Sequence, residues 1–149
     1  MIKRKNSNRK NPANFDNEKG IGWSKHHWSK EYDSVEVLMK PSMFLKLAYP
    51  LDEHEPESRF EFIESHINKN LPIATPFLVI FLLKNGKFQV WGHDGRHRNT
   101  IIKRKFGDEY SKVLLIFDNF KFDNKILNEV NKGAISERDV FIEGPLFKL

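Results

Sequence analysis

The sequence contains no cysteine, and this absence excludes three kinds of site. A disulfide framework, a thiolate metal centre and a cysteine nucleophile all need that side chain. The absence also fits a reducing compartment, so we expect a cytoplasmic protein.

Long hydrophobic runs are absent as well. The longest, Phe77–Leu83, is far shorter than a membrane span, and Met1–Lys10 has no apolar stretch behind its basic residues. We therefore expect a soluble protein without a secretory signal and without a membrane partner. A length of 149 residues is enough for one domain with a hydrophobic core.

Acidic residues are scarce at the start of the chain. Residues 1–30 contain eight Lys or Arg but only Asp16 and Glu18, within a net charge of +5. We predict that residues 1–18 form a disordered basic arm that contacts nucleic-acid phosphates. A solvated tail that aids solubility is the alternative. The basic residues assigned to the arm are Lys3, Arg4, Lys5, Arg9 and Lys10.

The rest of the chain divides into three segments. Residues 19–34 form an extension whose Trp23 and Trp28 should pack on the domain. Residues 35–120 form the domain itself. Residues 121–149 are predicted to be a helical extension packed on that domain.

The first half of the domain contains one strand and two helices. Val35–Met39 alternates as a short strand, and Pro41 with Ser42 as a cap opens a helix that runs to Ala48. Ser58 and Glu61 have the spacing of a capping box, which predicts an amphipathic helix over 58–70 that Pro72 stops.

A hairpin follows. Two β-prone runs flank Asn85-Gly86, which predicts a tight turn with positive φ at both residues. Further elements are a helix over 96–106 ended by Gly107, a strand over 113–117, and a helix over 124–132 ended by Gly133. This order predicts a mixed α+β domain with a short mixed sheet, a β-hairpin and flanking helices.

The segment with the most chemistry is Gly-His-Asp-Gly-Arg-His-Arg at 92–98. Gly92 and Gly95 let the backbone turn sharply between the second hairpin strand and the next helix. The N-terminus of that helix favours an anion, and Arg96 and Arg98 have guanidinium groups that match phosphate oxygens. We predict a phosphate site here, against the alternative of ordinary surface arginines.

Three other side chains of this segment are candidate catalytic groups. Asp94 is suited to capping the helix, to holding a divalent metal or to orienting water. His93 and His97 can transfer protons near neutral pH. Asp94 with His93 is the candidate metal pair, for which Mg²⁺ or Mn²⁺ is expected. For Asp94 a pure capping role, and for His97 an exposed surface position, remain alternatives.

These residues also carry a resemblance. Residues 35–117 resemble the domain shared by ParB proteins and sulfiredoxin, in the ParB-like nuclease variety found in phage proteins. The similar features are Pro41–Leu45, the hairpin ending at Trp91, the box at 92–98, Gly107 and the strand Val113–Phe117. The resemblance implies a nucleotide such as ATP or CTP, or a nucleic-acid phosphate, bound at Gly92–Arg98. It also implies nuclease activity in some members.

The chain departs from that family in three ways. Sulfiredoxin chemistry needs a cysteine in the box, so that activity is excluded. The 32 residues after Phe117 are too few for both the DNA-reading helix-turn-helix and the dimerisation region of ParB partition proteins. Asn99-Thr100 stand where many relatives have small residues, which affects helix packing or ligand fit.

Three functions remain open at this point. The first is a metal-dependent nuclease or related phosphoryl-transfer enzyme acting on nucleic acid, with DNA favoured. The second is a module that binds ATP or CTP and controls another interaction. The third is a non-enzymatic phage protein that binds and inhibits a host DNA-handling or defence factor, in the cytoplasm of an infected bacterium.

Overall fold

The computed structural model describes most of the chain from Tyr32 onward, together with a short N-terminal piece. The predictions for the basic arm, and for Trp23 and Trp28, lie outside the described residues. The described residues are 13–16, 20, 32–49, 51 and 56–149.

Within the described residues the fold is a mixed α+β domain, as the sequence predicts. A six-stranded mixed sheet is accompanied by four helices. No helix of the described part is long and apolar enough to cross a membrane. In chain order the elements are β1 (Asp33–Met39), α1 (Pro41–Leu47), α2 (Glu57–Asn68), β2 (Phe77–Leu82), β3 (Phe88–Asp94), α3 (Arg96–Phe106), β4 (Ser111–Phe117), α4 (Asn124–Asn131), β5 (Gly133–Ile135) and β6 (Phe141–Glu143).

The strand order in the sheet is β1-β4-β2-β3-β5-β6. β2 pairs in parallel with β4 and antiparallel with β3, and β3 pairs in parallel with β5. The two outer pairs, β1 with β4 and β5 with β6, are antiparallel. β3 and β5 run in the same direction, and Ile135 at the end of β5 pairs with Gln89 near the start of β3, so the residues that follow β5 come close to the later part of β3.

The core lies on both faces of the sheet. Leu78 and Ile80 of β2 pack in one cluster with Phe44 of α1 and Leu127 of α4. Phe77 and Val79 alternate with them and pack with Leu114 and Ile116 on the opposite face. Burial on both faces explains why β2 is an unbroken apolar run rather than an alternating one.

Two predicted helix caps are wrong. α2 has Pro56 at its N-cap without a side-chain hydrogen bond, so Ser58 and Glu61 form no capping box. It ends at Asn68 because Asn70 adopts φ 56° and closes the last turn before Pro72 is reached. In α1, Ser42 is not a cap. Its hydroxyl donates to Asp108 Oδ2 at 2.5 Å and its N–H donates to Oδ1 at 2.9 Å.

The predicted hairpin is present, but its turn differs from the predicted one. Gly86 has φ 85°, whereas Asn85 is not among the positive-φ residues. The N–H of Gly86 donates to Leu83 O, and the N–H of Leu83 donates to Lys87 O. The loop is therefore longer than two residues and needs only one left-handed position, which Gly86 supplies.

The C-terminal segment is not purely helical, contrary to the prediction for residues 121–149. Asp123 caps α4 by accepting from the N–H groups of Lys125 and Ile126. β5 and β6 then extend the main sheet beyond β3. Strands of three residues carry too little alternation to be read from the sequence.

Candidate functional site

The strand-to-helix junction is built by a close approach of two backbones. Gly95 is the N-cap of α3 with φ 119°, and a Cβ there would lie 2.5 Å from Pro76 Cβ. Only glycine fits such a position. α3 begins at Arg96 and ends before Gly107, which has φ 83°, as the sequence predicts.

The first turn of α3 is electrostatically positive. It contains no acidic residue, and no side chain caps Gly95 by a hydrogen bond. The alternative role of Asp94 as the helix cap is therefore excluded, since Gly95 occupies that position. The partial positive charge of the helix end adds to that of Arg96.

A bulge in β3 sets the direction of the side chains that precede the helix. Val79 pairs with Gly92 but Ile80 pairs with Val90, so Trp91 is an additional residue and is 49% exposed. His93 then pairs with Leu78 and Asp94 with Phe77. His93 and Asp94 consequently lie on opposite faces of the sheet.

Arg98 is held inside the protein. Its side chain is 4% exposed, and it donates to Asp94 Oδ2 at 2.6 Å and to Ala74 O at 2.5 Å. Burial lowers the pKa of Arg98 from its ordinary value, and the charge and hydrogen bond of Asp94 oppose that effect. In this arrangement Arg98 fixes the end of β3 to the start of α3, and its guanidinium does not face outward to a phosphate.

The ring of His93 is held by a carboxylate from a distant part of the chain. Its Nδ1 hydrogen-bonds Glu137 Oε2, and both side chains are about one-fifth exposed. The Nε2 atom makes no hydrogen bond to a residue that the structure describes. A histidine oriented through one nitrogen presents the other to a ligand or to a proton-transfer partner.

Glu137 reaches His93 because of the sheet topology. β5 ends at Ile135, which pairs with Gln89 near the start of β3, and Glu137 follows two residues later and reaches His93. Gln89 Nε2 also donates to Asp139 Oδ1. The N–H of Glu137 donates to Leu47 O, which ties the loop to the end of α1.

Two further cations lie at this edge around Tyr49. The guanidinium carbon of Arg138 lies 4.1 Å from the centre of the Tyr49 ring. Arg96 donates to the carbonyl oxygen of Tyr49 at 3.4 Å. Unlike Arg98, Arg96 has no carboxylate partner among the described residues. The junction, the end of α1 and the loop after β5 therefore meet here. Their residues His93, Arg96 and Arg138, with Tyr49 and Glu137, are called the basic cluster below.

His97 points to a different part of the molecule. Its ring lies 5.3 Å from that of Phe60 in α2. Asn99, two positions later, is fully buried, and neither atom of its side-chain amide has a hydrogen-bond partner among the described residues. The structure thus links His93 to Glu137 and Arg96 to Tyr49, and places His97 against α2.

The predicted metal pair is not supported by this geometry. His93 and Asp94 lie on opposite faces, and Asp94 is paired with Arg98. Within the described ranges no group of three His, Asp or Glu residues could hold a metal ion. Glu137 is the carboxylate that lies beside His93.

Glu137, Arg138 and Tyr49 are site residues that the sequence does not reveal. They are 44 or more positions from His93, and only the pairing of β3 with β5 and the packing of α1 bring them near. The link between Asp94 and Arg98, by contrast, has a sequence signal, because opposite charges four residues apart often pair.

No family model, curated protein or solved structure matches this chain. The resemblance to ParB-like domains therefore stays a prediction, and the site is assigned from its geometry.

Proposed function

We propose that this chain binds nucleic acid at the basic cluster and transfers or hydrolyses a phosphodiester with His93 as the proton-transfer group. The observation that carries the proposal is the contact between His93 Nδ1 and Glu137, which orients the ring and leaves Nε2 without a hydrogen bond to a described residue, two residues before the N-cap of α3. Proton transfer by a positioned histidine is the commonest form of general acid–base catalysis.

The cations of the cluster supply the second requirement, which is stabilisation of phosphate charge. Arg96 stands at the first position of α3 and contacts the carbonyl oxygen of Tyr49, and Arg138 lies against the Tyr49 ring. Guanidinium groups and a helix N-terminus both stabilise negative charge that develops during transfer. The predicted resemblance to ParB-like domains, which rests on these same residues, also implies a phosphate at Gly92–Arg98.

Asp94 and Arg98 have a positioning role in this proposal. Their ion pair and the bond from Arg98 to Ala74 O fix the backbone on which Gly95 and Arg96 are presented. This replaces the sequence-based assignment of Asp94 as a catalytic group and of Arg98 as a direct phosphate ligand.

A divalent metal, Mg²⁺ or Mn²⁺, remains part of the proposal. Such an ion commonly uses one or two protein carboxylates together with phosphate oxygens and water. Glu137 is the residue that would hold it, together with phosphate oxygens and water, and it would supply stabilisation of charge on the phosphate.

The test is a cleavage assay on purified protein with single-stranded DNA, duplex DNA and RNA. Each substrate is incubated with Mg²⁺, with Mn²⁺ and with a chelator. We expect His93→Gln to lower the cleavage rate about 100-fold or more, as for loss of an acid–base group. Glu137→Gln should lower it about 10- to 100-fold, as for loss of an orienting partner.

His97→Gln is the matched control, since it makes the same replacement in the same segment. Its rate should stay near that of the unchanged protein, because the ring of His97 packs against Phe60 of α2. Circular dichroism of all three variants checks that they are folded. Absence of cleavage under every metal condition, or full activity of His93→Gln, contradicts the proposal.

A further inference from the structure

A second group of cations surrounds an aromatic ring at the β1 side of the sheet. The ammonium nitrogen of Lys148 lies 4.2 Å from the centre of the Tyr110 ring, and that of Lys40 lies 5.5 Å from it. Tyr110 is 38% exposed, and both lysines are exposed. This group is separate from Tyr49, which lies beyond the other end of α1.

The strand register explains why these side chains meet. Leu38 pairs with Lys112 of β4 on one side and with Lys148 on the other, and Leu38 and Lys148 exchange both backbone hydrogen bonds. Residues directly opposite each other in a sheet share a face. Lys40 and Tyr110 are each two positions from one of these residues, so they lie on the same face.

This set, Lys40, Lys112 and Lys148 around Tyr110, is called the lysine–tyrosine face below. Its row of cations crosses three adjacent chain segments. Because neighbouring strands lie about 4.8 Å apart, the backbones of Lys112 and Lys148 on either side of Leu38 are spaced by about 10 Å. The ammonium groups of Lys40 and Lys148 both lie over Tyr110, so the three lysines put a cluster of cations on one face, and such a cluster is complementary to a polyanion.

These lysines form no ion pair with a carboxylate of the described residues. Asp108 accepts hydrogen bonds from Ser42 at both carboxylate oxygens. Glu36 lies on the same face two positions before Leu38, and Glu109 is exposed next to Tyr110. In the described part of the chain, neither forms an ion pair with a lysine of this face.

We infer that the lysine–tyrosine face binds the phosphate backbone of a nucleic-acid strand, at a position distinct from the basic cluster. Tyr110 holds two of the ammonium groups in place by cation–π contact, so that less side-chain freedom is lost on binding. The inference shares with the proposed function only the premise that the partner is nucleic acid.

The test measures the salt dependence of binding in the His93→Gln protein, so that cleavage does not interfere. Lys40, Lys112 and Lys148 are changed together to Gln, and binding of fluorescent single-stranded DNA and RNA is followed by anisotropy. Three lost phosphate contacts should reduce the slope of log K against log salt by about 2, at about 0.7 for each single-strand phosphate.

A triple variant with Lys69, Lys84 and Lys125 changed to Gln is the matched control. These lysines are exposed on other elements, and the change in net charge is the same. In the control variant the slope of log K against log salt should stay close to that of the His93→Gln protein. In addition, Tyr110→Phe should keep the affinity and Tyr110→Ala should lower it about tenfold, because only the first keeps the ring.

Equal slopes in the two triple variants overturn the inference. It is also overturned if the first triple variant loses binding to vesicles of anionic phospholipid while its oligonucleotide binding is unchanged. The proposed function is judged separately, from cleavage. A reduced salt slope in the variant of Lys40, Lys112 and Lys148 supports the binding role of this face. If His93→Gln alone leaves the cleavage rate unchanged, the catalytic role of His93 is rejected while the inference about this face stands.

Discussion

The buried guanidinium of Arg98 allows a quantitative prediction about stability. Its side chain is 4% exposed, and its partners are Ala74 O at 2.5 Å and Asp94 Oδ2 at 2.6 Å. Burial lowers the pKa of Arg98 by disfavouring its charged form, and Asp94 opposes this. Asp94→Ala should therefore leave a buried cation with one neutral acceptor.

The expected loss follows from the burial of the two partners. Removing one member of a buried ion pair costs about 3–5 kcal/mol. Exposed pairs contribute about 0.2–1 kcal/mol. The Asp94 side chain is 28% exposed, so the free-energy contribution of its ion pair with Arg98 should lie between these limits. We expect Asp94→Ala to lower the free energy of unfolding by about 2–3 kcal/mol, and Tm by about 5–10 °C.

A double-mutant cycle separates this pair from general damage. Urea denaturation is measured for Asp94→Ala, Arg98→Met and the double variant. The double variant should be less destabilised than the sum of the two single variants by at least about 1 kcal/mol, because it contains no unpaired buried charge. Additivity within about 0.5 kcal/mol refutes the reasoning.

Three further predictions concern stability and are measured by thermal or urea denaturation. Gly95→Ala should lower the free energy of unfolding several times more than Gly86→Ala. Both glycines have positive φ, but a Cβ at 95 meets Pro76 whereas a Cβ at 86 meets nothing within 4 Å. Equal losses of stability in the two variants contradict this. Asp123→Ala should lower the free energy of unfolding by about 1 kcal/mol, because it removes the cap of α4. Ser58→Ala removes no cap and should change that free energy by less than about 0.5 kcal/mol. Similar losses in the two variants would mean that the Asp123 cap does not stabilise the protein. Asn99→Leu should raise stability by about 1 kcal/mol or more, since neither amide atom has a partner, and a loss of stability would reveal one.

The strongest local patterns in the sequence predicted the elements that build the junction. Gly95, the run to Phe106 and Gly107 define α3 because helix start and stop depend on neighbouring residues. The apolar run of β2 and the turn at Gly86 likewise gave the hairpin. The predicted helix caps were wrong where the local preference of a residue competed with a contact to a distant residue. Ser42 bonds Asp108 instead of capping α1.

The composition of the site was less predictable than its location. Alternation along β3 is a local property, but the bulge at Trp91 shifts it, and pairing with Leu78 places His93 on the face opposite Asp94. Glu137 and Arg138 arrive through the parallel pairing of β3 with β5, a contact between distant segments. A single sequence contains no local signal for such a contact.

The most direct test of the central claim is a crystal structure of the protein bound to a non-hydrolysable oligonucleotide. The account predicts a phosphate group within hydrogen-bond reach of the Arg96 guanidinium, on the side of His93 that carries Nε2, with Nδ1 still bonded to Glu137. An oligonucleotide bound elsewhere, with the ring of His93 covered by the protein's own side chains, would contradict it.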